Sequence, residues 1–495
     1  MSKLFWRASG LFRPPVASLT VLGVLGTIYH ATGVAHADNN GALEENSAYL
    51  GVSQTTSRRR KPIEPFPLGK NRDVIWTHPQ ASAFSATVEG DTGIARIDSL
   101  ALSNKGWMED FVALKSVSVS GVTKDALSTN WSLVSLTNGF GGSSMSLELS
   151  KMINDAVLGG LISNLHEYVK PNSETEFTDI ETSPYPTEPY EEAVNRVIKG
   201  YFVAIDTALT EDFLKEAFSS GKKTPAIRSQ SVALSGCSAL LSLYDSSTKE
   251  LRIALTGDSR AILGRPLKNK DGCKSYEVHV LTADQTILPS APHASVISQA
   301  KLPHPVSRAF GVASLKWGRE IQQRLHEEYL GDRPFLPTTT TTEPPYITAE
   351  PEITSISIKP GDFLVLGSAG LWKSLTNEEI VGLLGVWVDR GMINADTNVV
   401  GRLSSPEVLN PRDLPVAGRS AKVVQGDSDD GTTMYRRWRT KKQFVCVDHN
   451  AALHLARNAL GGANQDLTAA LLSMSPPRAA WFRDNISATI VFFDD

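Results

Sequence analysis

Apolar residues at helical spacing mark several segments of the chain. They recur on one helical face in the run from Ser143 to Val169 and again in residues 191–218, as expected of amphipathic helices. Thr376 and Glu379 have the spacing of a capping box, in which each side chain bonds the backbone of the other, and they predict the start of another helix. A further helix is predicted from Asn450 to Leu460.

Alternating apolar and polar residues predict strands between these helices. Residues 93–136 hold short alternating segments, and Ile486–Phe493 predicts a closing strand. Two β-hairpins are predicted, one over residues 239–255 and one over residues 355–366 with its turn at Pro360-Gly361-Asp362. Because β-α-β alternation is absent, the pattern favours an α+β fold with an antiparallel sheet core and helices packed outside.

The composition excludes several classes of protein. The chain has 495 residues, 41% of them hydrophobic, so a packed core is feasible and global disorder is excluded. The 49 basic and 53 acidic residues give a net charge of −4, which argues against a nucleic-acid binder. Cys237, Cys273 and Cys446 lie far apart without a CxxC motif, which argues against a disulfide scaffold and a structural zinc site.

The first residues are predicted to be a targeting segment. Residues 1–37 contain no acidic residue, and a basic start precedes the apolar run from Val16 to Tyr29. This layout suits a mitochondrial presequence, with residues 16–35 as a candidate membrane anchor. It equally suits a secretory signal that ends at the cleavage-like triplet Ala35-His36-Ala37. From the residues alone, both interpretations stay open.

The remaining chain is predicted to form a linker and one domain. Residues 38–92 have little periodicity and are predicted to be a linker, and residues 93–495 are predicted to be the folded domain. Polar, Pro-rich or low-complexity composition predicts three insertions in that domain, near residues 171–189, 333–346 and 396–440.

Acidic turns are the candidate chemistry that remains after a motif search. The P-loop, HExxH, GxSxG and GxGxxG motifs are absent, and the turn at 427–431 lacks the terminal Glu of a calcium loop. Carboxylates at strand ends can build a magnesium or manganese site in an antiparallel sheet, because these metals take oxygen ligands. The candidate turns are Glu109-Asp110, Gly257-Asp258-Ser259, Asp284 and Arg483-Asp484-Asn485.

Seven segments follow one another in a recognisable order. They are SNKGWMEDF (103–111), LTNGFGG (136–142), the hairpin that ends in GDSR (233–263), LTADQT (281–286), VSRAFG (306–311), FLVLGSAGLWKSLTNEEIV (363–381) and RDNISATIVFF (483–493). In this order they resemble the motifs of the metal-dependent type 2C (PPM) protein phosphatases, and the resemblance covers about residues 93–495.

The resemblance implies a fold and a chemistry. It implies an α-β-β-α sandwich, two antiparallel sheets flanked by helices, with two divalent metals at one end that activate a water for attack on phosphorus. Segments AEP (349–351), KW (316–317) and HLARNALGG (454–462) look most like the mitochondrial branch that includes pyruvate dehydrogenase phosphatase, in its fungal form. This favours mitochondrial localisation over the secretory pathway.

At the implied metal site, the sequence departs from the family. Asn138 stands at a metal-binding Asp position, Phe140 at the position of the His that acts as general acid, and Ala369 and Lys373 at two further Asp positions. No catalytic residue is therefore assigned. Loss of carboxylate ligands weakens metal binding by orders of magnitude, and loss of the general acid costs about 10²–10⁴-fold. The residues kept from the family's metal-site motifs are Gly139, Asp484, Asp258, Asp110 and Glu109.

The preferred interpretation is a pseudophosphatase with a binding or regulatory role. Its partner would be a phosphoprotein, a true phosphatase or the pyruvate dehydrogenase complex, and not a nucleic acid. The first alternative is an active protein Ser/Thr phosphatase that uses Mg²⁺ or Mn²⁺ held by displaced ligands such as Glu109 and Asp110. The second is an exported or membrane-tethered protein that reuses the fold.

Overall fold

The computed structural model describes part of the chain. The described ranges are residues 47–49, 81–88, 92–104, 107–120, 128–165, 188–268, 274–291, 293–303, 305–335, 337, 343–395, 402–417 and 432–494. None of the helices within these ranges combines the length and apolar composition needed to cross a bilayer. The predicted leader, most of the linker, residues 171–187, Cys273 and the acidic turn at 427–431 lie outside the described residues.

Fifteen strands are present in the described ranges. They are β1 (Ser47–Tyr49), β2 (Ala81–Thr87), β3 (Ile94–Leu102), β4 (Asp110–Ser120), β5 (Ser128–Phe140), β6 (Gly236–Asp245), β7 (Glu250–Thr256), β8 (Arg260–Lys268), β9 (Lys274–Val280), β10 (Phe310–Gly311), β11 (Glu352–Ser357), β12 (Phe363–Gly367), β13 (Arg402–Leu409), β14 (Phe444–Asp448) and β15 (Ile486–Phe493).

Twelve α-helices accompany them in the same ranges. They are α1 (Ser144–Leu165), α2 (Tyr190–Thr207), α3 (Phe213–Ser220), α4 (Lys223–Leu234), α5 (Ala294–Gln299), α6 (Arg319–Glu328), α7 (Ala369–Trp372), α8 (Asn377–Asp389), α9 (Met434–Trp438), α10 (Ala451–Ala459), α11 (Gln465–Ser473) and α12 (Ala479–Phe482). A π-helical segment, Ala208–Asp212, joins α2 to α3, and short 3₁₀ turns occupy Ala313–Leu315, Met392–Asn394 and Pro411–Asp413.

Two antiparallel sheets form the centre of the fold. Sheet I has the order β1-β4-β5-β6-β7-β11, with β10 paired to the start of β6, and sheet II has the order β2-β3-β15-β12-β8-β9. Their facing sides bury one apolar cluster that includes Val112, Leu136, Leu240, Leu364 and Val491. This burial is the main driving force for stacking the sheets.

Helices cover the outer faces of both sheets. Helices α1 and α2 bury Leu149, Ile153 and Phe202 against sheet I. On sheet II, α8 and α10 bury residues such as Trp387 and Leu455. The result is the four-layer α-β-β-α arrangement, so the predicted α+β fold with two antiparallel sheets flanked by helices is confirmed.

Local sequence signals gave correct helix positions. Thr376 Oγ1 accepts a hydrogen bond from the backbone nitrogen of Glu379, and the Glu379 side chain accepts one from the backbone nitrogen of Thr376. The predicted capping box is therefore confirmed. Asn450 caps α10 by accepting from the backbone nitrogen of Leu453. The first predicted hairpin is confirmed as β6 and β7.

The second predicted hairpin is wrong. Strand β11 pairs with β7 in sheet I, whereas β12 lies between β15 and β8 in sheet II. The turn at residues 360–362 therefore carries the chain from one sheet to the other. The buried Asp362 carboxylate secures this crossing by accepting from Arg265 at 2.7 Å and from the backbone nitrogen of Lys359 at 2.9 Å. Alternation predicted two strands correctly but did not specify their partners.

Two predicted irregular segments contain regular structure. The linker prediction over residues 38–92 is wrong for Ala81–Thr87, which forms the edge strand β2 and pairs with β3. Its small and polar residues give too weak an alternation to be recognised. The predicted insertion at 396–440 contains β13, paired to β14, and helix α9.

Candidate functional site

A row of polar residues crosses sheet I at one end of the sandwich. Asp110 on β4 pairs with Asn138 on β5, and Asn138 pairs with Ser238 on β6. Since side chains alternate along a strand, these three share the inner face with Val112 and Leu136 of the apolar core. The row is therefore where the core between the sheets ends and polar chemistry begins.

Asp110 is buried at the centre of this row. Asn138 Nδ2 donates to Asp110 Oδ1 at 2.6 Å, and Ser487 Oγ on sheet II donates to Asp110 Oδ2 at 2.6 Å. Burial raises the pKa of Asp110 to about 7, because desolvation disfavours the carboxylate more than these two hydrogen bonds favour it. The nearby negative charges of Asp484 and Glu109 raise it further.

Asp484 precedes the closing strand β15 and is paired with a lysine. Lys373 Nζ lies 2.6 Å from Asp484 Oδ2, and the two side chains are 41% and 26% exposed. Lys373 directly follows α7. This helix can lie close to the segment before β15 because Gly370 has no side chain, since a Cβ there would lie 1.9 Å from the carbonyl oxygen of Asn485. The close approach at Gly370 places the lysine beside the carboxylate.

Glu109 is joined to the same end of sheet II. Its Oε2 accepts from Asn485 Nδ2 at 3.2 Å, and its side chain is buried. The backbone carbonyl of Glu109 accepts from the nitrogen of Gly139 at 2.9 Å. A Cβ at Gly139 would lie 2.8 Å from that carbonyl oxygen and 2.5 Å from Ser146 Oγ, so no side chain fits there.

Phe140 is a core residue in this structure. Its ring is 3% exposed and packs with Val296, Val306, Val312 and Ile347. These neighbours are all apolar, and nothing in the phenyl ring can donate or accept a proton. The position that the family resemblance assigns to the general acid is thus occupied by an apolar anchor for the segments around α5 and β10.

Two other acidic turns make local contacts. Asp258 Oδ1 accepts from Ser238 Oγ at 2.7 Å, and the backbone nitrogen of Asp258 donates to the same oxygen of Ser238 at 2.9 Å. Asp258 therefore borders the polar row and also stabilises its own turn. Asp284 is removed from the row and forms a two-pronged ion pair with Arg260, at 2.9 and 2.7 Å.

The residues do not fit a pair of divalent metals. Asn138 turns its amide nitrogen to Asp110, and its buried Oδ1 has no hydrogen-bond partner among the described residues. The side chain of Ala369 has no atom that could coordinate a metal, and the ammonium group of Lys373 forms an ion pair with the Asp484 carboxylate. Across the described ranges, no group of three or more His, Cys, Asp or Glu side chains is arranged to hold a metal ion. Lys373 offsets the charge of Asp484 from within the chain.

Ser487 is a contributor to the site that sequence reasoning did not find. It donates to Asp110 and lies in the RDNISAT segment near Asp484, and its position near a candidate acid was the available signal. Asn485, which donates to Glu109, was part of a predicted candidate turn. The Lys373–Asp484 contact could not be read from the sequence, because the residues are 111 positions apart.

Comparisons with known proteins agree with this fold. The family model described as protein phosphatase 2C matches residues 190–287 and 297–400. These matched ranges contain Ala369 and Lys373 but not Glu109, Asp110, Asn138 or Asp484. Of the retained carboxylates, Asp258 lies inside the matched ranges, whereas Glu109, Asp110 and Asp484 lie outside them, as does the substituted Asn138.

Relatives include fungal and animal proteins. A protein phosphatase 2C homolog of Schizosaccharomyces pombe is 33% identical over 61% of this chain, and the match spans 63% of that relative. The mitochondrial pyruvate dehydrogenase (acetyl-transferring) phosphatase 1 of Saccharomyces cerevisiae is 29% identical over 82% of this chain and 70% of its own. The human phosphatase of the same name is 31% identical over 53% of this chain and 48% of its own. The matches thus span from 48% to 70% of the length of these relatives.

Proposed function

Because the chain belongs to the protein phosphatase 2C family and is related to its mitochondrial members, we propose that it is a pseudophosphatase that binds a protein partner in mitochondria. The partner would be a phosphoprotein, an active phosphatase or the pyruvate dehydrogenase complex. The family depends on magnesium or manganese. In the proposed role, this chain keeps the α-β-β-α sandwich but does not use metal-dependent phosphate hydrolysis.

The ion pair between Lys373 and Asp484 carries the proposal. A lysine 2.6 Å from the retained carboxylate supplies one positive charge where the family's chemistry needs metal ions. Unit charges about 4 Å apart interact by about 4 kcal/mol at an effective dielectric near 20, so an ammonium group at this distance also repels any dication that approaches Asp484. Asn138 and Ala369 supply no carboxylate to offset that repulsion.

An active Mg²⁺- or Mn²⁺-dependent protein Ser/Thr phosphatase is the alternative. The observation that favours it is the proximity of Glu109 and Asp484 to Asp110. Burial is the main reason that the pKa of Asp110 is raised, and the charges of these two neighbours are close enough to raise it further. These three carboxylates would have to act as the ligands, and Lys373 would have to move away. The comparisons give no support to an exported or membrane-tethered protein.

Manganese titration with a phosphatase assay tests the proposal. We expect calorimetry on the full chain to show no tight manganese binding and no turnover of a phosphoprotein. Tight binding with turnover that Asp484→Ala abolishes would overturn the pseudophosphatase. The triple variant Asn138→Asp, Ala369→Asp, Lys373→Asp should gain manganese affinity, and it leaves the buried Phe140 in place so that the apolar cluster stays intact.

A further inference from the structure

Basic residues cluster on two short segments beside the site. Residues 432–443 and 474–482 contain no Asp or Glu. Their exposed cations form what we call the cationic surface, made of Arg436, Arg437, Arg439, Lys441 and Arg478. Since the whole chain carries a net charge of −4, this concentration of positive charge is local.

The two segments pack against each other through Phe482. Trp438 Nε1 donates to the Phe482 carbonyl at 2.8 Å, which joins α9 to α12. The guanidinium groups of Arg437 and Arg478 lie 5.8 and 5.7 Å from the centre of the Phe482 ring. Trp481, the preceding residue, is 65% exposed. An exposed tryptophan therefore borders the cations.

The positive charges of this surface are not neutralised by the described part of the chain. No carboxylate in those ranges forms an ion pair with any of its five members. The adjacent Lys442 contrasts with them, because it is 7% exposed and pairs with Glu379 at 2.8 Å. Within the described ranges, the buried Lys442 is therefore paired with a carboxylate, and the five exposed cations are not.

The surface is connected to the degenerate site by backbone hydrogen bonds. The nitrogens of Thr433 and Met434 donate to the carbonyl of Lys373 at 3.0 and 3.1 Å. Lys373 in turn pairs with Asp484. A ligand held on α9 would therefore lie next to the end of the sandwich where the family places its chemistry.

We propose that the cationic surface, with Trp481 at its edge, docks an acidic, phosphorylated segment of a partner protein. Arginine presents a planar fork of donors that matches carboxylate and phosphate groups, and tryptophan is enriched where partners bury contact area. This inference deepens the proposed function by naming the surface and the charge class of the partner. It stands on contacts separate from the metal argument.

A protein segment fits this surface better than other polyanions. Membrane-surface helices need an apolar face to insert, whereas Met434 and Tyr435 of α9 are already buried. Nucleic-acid binders usually carry net positive charge, and this chain is net negative. Vesicles and single-stranded DNA therefore serve as competitors in the test.

Fluorescence anisotropy on the full chain tests the proposal. The probe is a labelled short peptide that alternates aspartate with glycine around a central phosphoserine, and its control has lysine in place of aspartate. Arg439→Glu with Lys441→Glu should weaken binding of the acidic probe by about 10-fold or more, because like charges then face each other. Neither side chain makes a hydrogen bond or ion pair within the described ranges, so the fold should be unaffected. Trp481→Ala should weaken binding by about 10-fold.

A matched control changes the same charge elsewhere. Lys222→Glu with Lys223→Glu alters two exposed lysines at the start of α4 and should leave the affinity unchanged. Circular dichroism would show that all variants are folded. Equal affinity of wild type and Arg439→Glu/Lys441→Glu, or tighter binding to anionic vesicles or DNA than to the peptide, would overturn the proposal.

The chain's own acidic segment is a further occupant to be tested. If the wild type fails to bind the probe but Asp427→Asn with Asp429→Asn and Asp430→Asn binds it, the surface is covered internally and the proposal is overturned. Manganese-dependent turnover in the wild type would overturn the pseudophosphatase alone, whereas loss of probe binding would overturn the docking surface alone. The two failures are therefore distinguishable.

Discussion

Lys373 and Asp484 meet across the end of the sandwich, one following α7 and the other preceding β15, with 2.6 Å between ammonium nitrogen and carboxylate oxygen. The contact joins the two segments whose counterparts in the family supply metal ligands. The lysine thus neutralises a carboxylate in a place where the family resemblance calls for a cation.

Replacing the lysine should improve metal binding more than it harms stability. Lys373→Met removes the ammonium group from a pair that is partly exposed, so the free energy of unfolding should change by only about 0–1 kcal/mol. Manganese affinity measured by calorimetry should rise by about 10-fold, because the repulsive charge is gone. Lys215→Met, which breaks exposed ion pairs with Glu211 and Asp212, is the control. An unchanged manganese affinity in Lys373→Met would contradict this account.

Phe140 should behave as a core residue. Phe140→Ala should lower the free energy of unfolding by about 3–5 kcal/mol, because it leaves a cavity among Val296, Val306 and Ile347. Phe140→His should cost about 1–3 kcal/mol, because it buries the polar imidazole nitrogens in a site that is lined mainly by apolar side chains. Urea denaturation measures both, with Trp107→Ala as the control, since that side chain is 57% exposed. A stable Phe140→Ala variant would argue against the packing described.

The ion pair between Arg457 and Asp448 should be important for stability. The guanidinium group lies 2.7 Å from the carboxylate, and the two side chains are 4% and 0% exposed. Arg457→Leu should destabilise the protein by about 3–5 kcal/mol, because it leaves an uncompensated buried charge. Urea denaturation of Arg457→Leu and of the double variant with Asp448→Leu would separate this penalty from packing loss. The double variant should recover part of the stability.

His454 should make stability depend on pH. Burial lowers the pKa of His454 to about 4, and its ring is held by the carbonyl of Leu383. Between about pH 4 and pH 6.5 the unfolded chain binds a proton that the folded chain does not, so this contribution to stability is lost as the pH falls. His454→Gln should remove that part of the slope in urea denaturation across the window. His326→Gln, an exposed replacement, should not.

Asp110 should give a slope of the opposite sign. Its pKa is raised to about 7, so between about pH 4 and pH 7 the folded chain holds a proton that the unfolded chain has lost, and stability from this group falls as the pH rises. Asp110→Asn keeps an oxygen for Asn138 and should remove this fall. Measured in the His454→Gln background, where the opposing slope is absent, the effect should be larger and easier to see.

The sequence predicted what depends on near neighbours. The Thr376–Glu379 box and the Asn450 cap are set by residues three positions apart, and both were correctly placed. The apparent hairpin over residues 355–366 failed because alternation does not identify which strand lies alongside. Strand β2 was missed because Ala and Ser carry little hydrophobic contrast.

The candidate site was predictable in its residue types but not in its pairings. The resemblance named Asn138, Phe140, Ala369 and Lys373 as departures, and the charge of Lys373 indicated a conflict with metal binding. That this charge would be paired with Asp484, and that Phe140 would be buried among valines, follows from tertiary packing. Such contacts join segments that are far apart in the chain, and residue types alone do not specify them.

Strand β15 has a consequence for how the protein is made. It lies between β3 and β12 in the middle of sheet II, so Leu102 pairs with a residue, Ile486, that is synthesised 384 positions later in the chain. A nascent chain cannot close this sheet while residues 486–493 are still inside the ribosome. A frameshift or stop codon ahead of Ile486 would therefore leave the edges of β3 and β12 without the strand that pairs with both. Unpaired strand edges promote aggregation, so such a truncated chain should be a substrate for chaperones or proteases.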